Sequence, residues 1–236
     1  MAHREGICYD IKMIRDDILE GEIYHVFNRG TDKRKIFLST KNYERFLVNL
    51  ILFNTTGEVI ANVSRYDLVQ ACLNIPDNPL VKVLAFALLP NHFHFILEPL
   101  VKDGVKRFMH RLEMGYSQYF NRLNRRSGNL FQGAYKIVHV DNDAYLNFLP
   151  LYVHLNPLDL SPNEFNWKEK GVKNKKEAIN FLFFYKWSSL QTYLGLKEQP
   201  FVDRNLFDHI YDSPKVWERE LFDWLPEDGL EDFPAE

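Results

Sequence analysis

Cysteine is nearly absent from this chain of 236 residues: Cys8 and Cys72 are the only two. Two thiols exclude a disulfide framework and a cysteine-built zinc cluster. Long apolar runs are missing as well. The longest, Val83 to Pro90, is far short of the roughly 20 residues that a membrane-spanning helix needs. The opening residues, Met1 to Gly6, contain no apolar stretch, so no signal peptide is expected. A soluble cytoplasmic protein with no membrane partner is the expectation. Excess charge of one sign is lacking too. The net charge is −3, which excludes nucleic-acid binding by bulk charge alone. No internal repeat is visible. With 46% apolar and 26% charged residues, the chain is neither collagen-like, nor a coiled coil, nor wholly disordered.

What is abundant is aromatic. Phe, Tyr and Trp make up 15% of the residues, which suits a strand-rich core, a stacking surface, or both. Patterning then divides the chain. Residues 1–20 are mixed and charged and read as an arm. Glu22 to Asn28 alternates and favours a strand. Thr40 to about Phe53 carries Tyr43, Phe46, Leu47 and Leu50 at helical spacing. Residues 58–80 read as an insertion, with Pro76-Asp77-Asn78-Pro79 as a turn near its end. Val83–Leu89 is a continuous apolar run, expected as a buried strand, and His92–Leu97 follows in hairpin position. A long helix is expected from Gly104 to about Asn124, and a strand over Tyr135–Val140. Asp141 or Asn142 caps a helix that runs to about Asn156, where Pro157 ends it. The order is that of an α+β, ferredoxin-like or RRM-like βαββαβ fold with a four-stranded antiparallel sheet and an added helix. Residues 21–160 are expected to form this domain. Residues 161–236 form a helical extension with an acidic tail, in which Glu218–Glu236 holds eight acidic residues against Arg219 alone.

Three constellations can carry chemistry. In His92-Phe93-His94, strand alternation puts both imidazoles on one face, where a pair can bind one divalent metal; by itself such a pair is equally a pair of surface histidines. In Tyr152-Val153-His154-Leu155-Asn156-Pro157, Tyr152 and Asn156 are i and i+4 on one helix face. A phenol and an amide so placed can present a nucleophile and a metal ligand together. Tyr145 is a rival two turns earlier, and a core tyrosine is the bland alternative. Between Lys102 and Lys136 there are eight cations against Asp103 and Glu113. Interleaved with Tyr116, Tyr119, Phe120 and Phe131, they suit phosphate contact and base stacking, or simply a solvated helix face.

Taken in order, these segments resemble the insertion-sequence-200-like tyrosine transposases of the HUH superfamily. Leu89-Pro90-Asn91-His92-Phe93-His94-Phe95-Ile96 is similar to their histidine strand, and Tyr152–Pro157 to their nucleophile helix. Tyr24–Gly30 is similar to their opening strand, and Tyr119–Arg122 with Ser127–Gly133 to a segment between the two motifs. Trp187-Ser188-Ser189-Leu190 resembles an element of the REP-associated subgroup. The likeness runs from about residue 21 to 195 and leaves out the 58–80 insertion and the acidic tail. It implies a single-strand DNA endonuclease and strand transferase. Tyr152 would be the nucleophile, and His92, His94 and Asn156 the ligands of Mg2+ or Mn2+. Arg29, Lys106, Arg111, Arg122, Arg125, Arg126 and Lys136 would contact single-stranded or hairpin DNA. A homodimer is compatible with the resemblance. Two departures stand out: Ala134, where the family commonly has Arg, and Pro150, which removes a helix donor and is expected to kink the helix two residues before Tyr152, either spoiling it or serving as its hinge. The rival readings are a non-catalytic nucleic-acid-binding module on the same sheet and a domesticated transposase acting on host repeats.

Overall fold

The computed structural model describes residues 18–60, 62–161 and 167–225. Most of the expected N-terminal arm and the end of the acidic tail lie outside these residues. Four strands, β1 (Tyr24–Arg29), β2 (Val81–Leu89), β3 (His92–Pro99) and β4 (Lys136–His139), form one antiparallel sheet in the order β2-β3-β1-β4. Helices α1 (Thr40–Leu52) and α3 (Gly104–Leu123) pack on one face. This is the expected α+β ferredoxin-like arrangement.

Strand alternation explains the layering. On β3, Phe93 and Phe95 turn to α1, where both meet the Phe46 ring. His92 and His94 therefore face the other way. Helix α4 (Asp143–Leu155) lies on that second face, against β2 and β3. Strand β2 is buried almost throughout, as its unbroken apolar run requires. Burying each large apolar side chain there contributes roughly 1.5–3 kcal/mol. Asn54, just past α1, ties the two elements together: its Oδ1 accepts from the Leu80 and Val81 amides, and its Nδ2 donates to the Val81 carbonyl.

The insertion is folded rather than loose. A 3-10 turn over Val63–Arg65 and a short helix, α2 (Leu68–Leu73), pack on α1. Asp67 and Gln70 form a reciprocal capping box at the start of α2. In α3, Gly115 has no room for a Cβ, because the Phe53 ring sits against its backbone. That close approach locks α1 onto α3.

The C-terminal extension, α5 (Trp167–Lys170), α6 (Lys175–Phe184), α7 (Leu190–Tyr193), α8 (Asn205–Tyr211) and α9 (Pro214–Trp224), closes the free edge of β2. Ser188 bridges Ala87, the Leu88 amide donates to the Trp187 carbonyl, and the Ser189 amide donates to the Phe86 carbonyl. Val202 bridges Val83 further along. An edge strand left open invites pairing with another chain, and the Trp187–Ser189 segment occupies that place. Helix α4 runs on through Pro150. Tyr211 Oη donates to the Asn147 carbonyl in the turn before the proline, and Trp224 packs on Phe148. The extension therefore holds α4 from outside. No described helix is long and apolar enough to cross a membrane.

Ser189 is the joint of this packing. Its Oγ accepts from the Phe86 amide at 2.9 Å and meets His154 Nε2 at 2.8 Å, with both residues buried. Ser189→Ala leaves two buried polar groups without their partner, each costing about 1–3 kcal/mol. We expect urea unfolding to show a loss of about 2 kcal/mol or more with an unchanged m-value.

Candidate active site

The register of β1 on β3 builds the site. Arg29 lies opposite His92, Phe27 opposite His94 and His25 opposite Ile96. Opposed residues share a face, so His25, Phe27 and Arg29 join the two expected histidines beneath α4. The His92 and His94 rings are 5.1 Å apart and nearly perpendicular. Tyr152, 5% exposed, packs edge-on against His94 at 5.8 Å and against His25 at 6.1 Å. The structure thus brings Tyr152 to the histidine pair.

The hydrogen bonds restrict the tautomers. His92 Nδ1 lies 2.7 Å from Asn91 Oδ1, and Asn91 Nδ2 donates to the Lys33 carbonyl. The amide is therefore oriented with its oxygen toward His92. An amide oxygen only accepts, so Nδ1 carries the proton and Nε2 keeps the lone pair that a metal needs. His94 Nδ1 lies 3.0 Å from His25 Nε2, and His25 Nδ1 lies 3.4 Å from Tyr145 Oη. A ligating His94 needs its lone pair on Nε2. It must then donate from Nδ1 to His25, which in turn donates to the Tyr145 oxygen. His25 was missed in the sequence because nothing in Tyr24-His25-Val26 marks it; only the strand pairing brings it to His94.

The donor set suits a divalent cation on two sides. Both Nε2 atoms are buried, and the pair offers two imidazole nitrogens. Among the described residues no group of three or more His, Cys, Asp or Glu could hold a metal. Asn156, fully buried at the end of α4, has its amide engaged in the present arrangement. Its Nδ2 donates to the Tyr152 carbonyl at 2.9 Å, and its Oδ1 accepts from Lys168 Nζ at 2.9 Å. Lys168 also stands 5.3 Å from the centre of the Tyr152 ring and 3.5 Å from Asp159. His154, two residues from Tyr152, turns away to Ser189 and Trp217. Burial pushes its pKa down to about 3, so it is a neutral core histidine.

The expected DNA-contacting residues divide by face. Arg29 and Lys136 line a cleft of about 280 Å3 beside His92, together with Lys33. Arg122 and Arg125 are exposed at the end of α3. Arg126 donates to Asn121 Oδ1 and to the Asn129 carbonyl. Their loop returns to the site end of the sheet, where the Thr31 amide meets the Leu130 carbonyl. Lys106 is exposed at the other end of α3. Arg111 is spent on the chain itself: it caps the Thr55 and Gly57 carbonyls, beside Arg107 on Thr56.

Beneath the cleft, on the helix side of the sheet, Asn28 Nδ2 donates to Glu113 Oε1 at 2.8 Å and to the Gly133 carbonyl at 3.1 Å. Burial raises the Glu113 carboxyl to about 7 from an ordinary 4.5. Glu113 is therefore half-titrated near neutrality, at the base of the 131–134 loop.

Residues 48–156, a little under half of the chain, match the model of the family described as "Transposase IS200 like". The matched stretch holds His92, His94, Tyr152 and Asn156 and leaves out β1. The resemblance read from the sequence is borne out over this stretch, which is similar to a transposase family. A solved structure described as a REP-associated tyrosine transposase bound to a REP hairpin is similar at a TM-score of 0.49 and 11% identity, over 82% of this chain and 98% of that chain. No curated protein matches this chain.

The Glu113 shift has a defined sign. A carboxyl whose folded pKa is raised favours the fold when protonated. Its contribution is whole below the ordinary value of 4.5 and is lost as pH rises through about 7. Glu113→Gln keeps an acceptor for Asn28 and removes the titration. Between pH 5 and pH 8 the variant should lose about 2 kcal/mol less unfolding free energy than the parent, measured by urea titration at both pH values.

Proposed function

We propose that this protein is a single-strand DNA endonuclease and strand transferase of the transposase type, with Tyr152 as its nucleophile. The observation that carries the reading is the packing of Tyr152 against His94, on the sheet face that also presents His92. The family match spans all three residues and supports it.

A phosphodiester resists attack because its negative charge repels nucleophiles. Cationic and hydrogen-bonding groups around the phosphate lower that barrier. In the proposed step the Tyr152 oxygen bonds to phosphorus and the bond to the 3′ oxygen breaks. The phenol proton leaves, the 3′ oxygen is released as a hydroxyl, and the 5′ phosphate remains on the tyrosine. The phosphotyrosine bond keeps the energy of the broken linkage. A 3′-hydroxyl of another strand can therefore reverse the step and join DNA without ATP. Phenols titrate near 10 in water, so the proton must be withdrawn during attack. His25 and His94 are the titratable rings against the Tyr152 ring, and Lys168 Nζ is the cation over it. Mg2+ or Mn2+, held by His92 and His94 and by Asn156 once that amide leaves Lys168, would neutralise phosphate charge. The substrate would be single-stranded or hairpin-tip DNA, because a strand buried in a duplex cannot reach a site under α4.

Tyr152→Phe removes one hydroxyl and leaves the ring packing. We expect it to abolish the covalent protein–DNA adduct on a 5′-labelled single strand while binding persists. Tyr145→Phe should keep the adduct. An adduct that survives Tyr152→Phe and vanishes with Tyr145→Phe would make Tyr145 the nucleophile.

The metal assignment has a separate test. Replacing His92 and His94 together by Ala should abolish Mn2+ binding in isothermal titration and leave the circular dichroism spectrum unchanged. Equal Mn2+ affinity in parent and variant excludes the pair as ligands.

A further inference from the structure

We propose that the cleft beside His92 is a subsite for a single nucleotide, its base stacked on Phe27 and its phosphate held by Arg29, Lys33 and Lys136. The proposal rests on the reading of the histidine face as the DNA-processing site, and it adds what binds next to that site.

Four observations converge. The cleft holds about 280 Å3, room for one nucleotide and not for a duplex, and His92 forms part of its wall. Whatever fills it lies against a candidate metal ligand. Its lining includes three cations, Arg29, Lys33 and Lys136, and among the described residues no carboxylate, so an anionic occupant is favoured. An aromatic ring, Phe27, lines the cleft. Phe27 is half-buried, stacked on His25 at 4.8 Å and on His94 at 5.7 Å, with Lys136 Nζ 5.4 Å from its centre. A ring fixed by two imidazoles and flanked by a cation is a ready stacking platform. Finally, the wall carries an amide for a base edge. Gln132 Oε1 accepts from Arg29 Nε, which orients the side chain and leaves its Nε2 amide group as a donor.

Ala134 gives the cleft its room. It is exposed and contributes only a methyl group to the wall. A long side chain there would fill the space. This makes Ala134→Arg a discriminating variant, because two models predict opposite results. If the cleft is only a cationic path for phosphates, a further guanidinium tightens binding. If it houses a base, the arginine displaces that base and weakens binding despite the added charge.

The experiment uses the full-length chain carrying Tyr152→Phe, so that binding is read without cleavage. The probe is fluorescein-labelled oligo(dT), followed by anisotropy at fixed salt. We expect Phe27→Leu to weaken binding about tenfold, within the range of one lost base stack, and Ala134→Arg to weaken it as well. A strand of the same length made of abasic deoxyribose phosphates should bind the parent and Phe27→Leu alike and bind Ala134→Arg more tightly, because only the added charge then acts. Ultraviolet crosslinking of 5-iodouracil-substituted oligo(dT) should attach the strand to Phe27, and Ala134→Arg should remove that attachment. Tighter or unchanged oligo(dT) binding by Ala134→Arg, or a crosslink that never maps to Phe27, overturns the subsite. Ala134 is exposed and Phe27→Leu keeps an apolar side chain, so both variants should fold. The adduct assay with an intact Tyr152 is read separately. Loss of the adduct reading with the crosslink kept would sink the nuclease proposal and leave the nucleotide subsite standing.

Discussion

The antiparallel register of β1 against β3 is the constraint on which the site depends. It places His25, Phe27 and Arg29 on the face of His92 and His94. The side-chain period of a strand is two, so a slip of one residue would turn this whole set toward α1 and α3. The slip is opposed from both sides. Phe93 and Phe95 are fully buried in the helix-side core, and Tyr24 and Val26 are buried on the same side. The cost of exposing those four side chains holds the histidines in place. Core packing on one face thus fixes the chemistry on the other.

Helix α4 translates a sequence spacing into two separate contacts. At 100° per residue, Tyr152 and His154 diverge by more than half a turn. Tyr152 looks down on His94, while His154 reaches Ser189 and the Trp217 ring. Because burial keeps His154 neutral, its ring can share a hydrogen bond with a hydroxyl without bringing a charge into the core. The same Ser189 closes the edge of β2. The covering of the sheet edge and the placement of the candidate nucleophile are therefore one packing arrangement. The Trp187–Leu190 segment, far from Tyr152 in sequence, belongs to it for that reason.

Much of this was legible in the sequence, and the reasons are physical. Strands and helices followed from apolar periodicity: β2 was an unbroken run, and α3 showed side chains at helical spacing. The His92–His94 pair was legible because alternation is a local rule. His25 was not, because its partner is 69 residues away. The use of Asn156 by Lys168 was equally hidden, since it depends on how α5 returns to the end of α4. Charge counting did not show the intramolecular use of Arg111. It lies in the basic stretch, yet the residues after α1 expose carbonyls that need donors, and Arg107 and Arg111 supply them. The packing of α8 and α9 on α4 beside Pro150 was hidden too, because it joins residues far apart in sequence.

The proton order along His94, His25 and Tyr145 links the tyrosine question to the metal question. If His94 is a ligand, its lone pair lies on Nε2, and the chain must run from His94 to His25 to the Tyr145 oxygen. Tyr145 then accepts a hydrogen bond through the oxygen that an attacking phenolate would need to have free. Tyr145 is in that state a structural terminus for the histidine relay. In the opposite order, Tyr145 donates to His25, His25 donates to His94, and His94 carries its proton on Nε2, where it cannot ligate. One network therefore cannot support both a ligating His94 and a hydrogen-donating Tyr145. Tyr152 meets the relay through edge-on packing on the His25 and His94 rings, a contact that a ligating His94 allows.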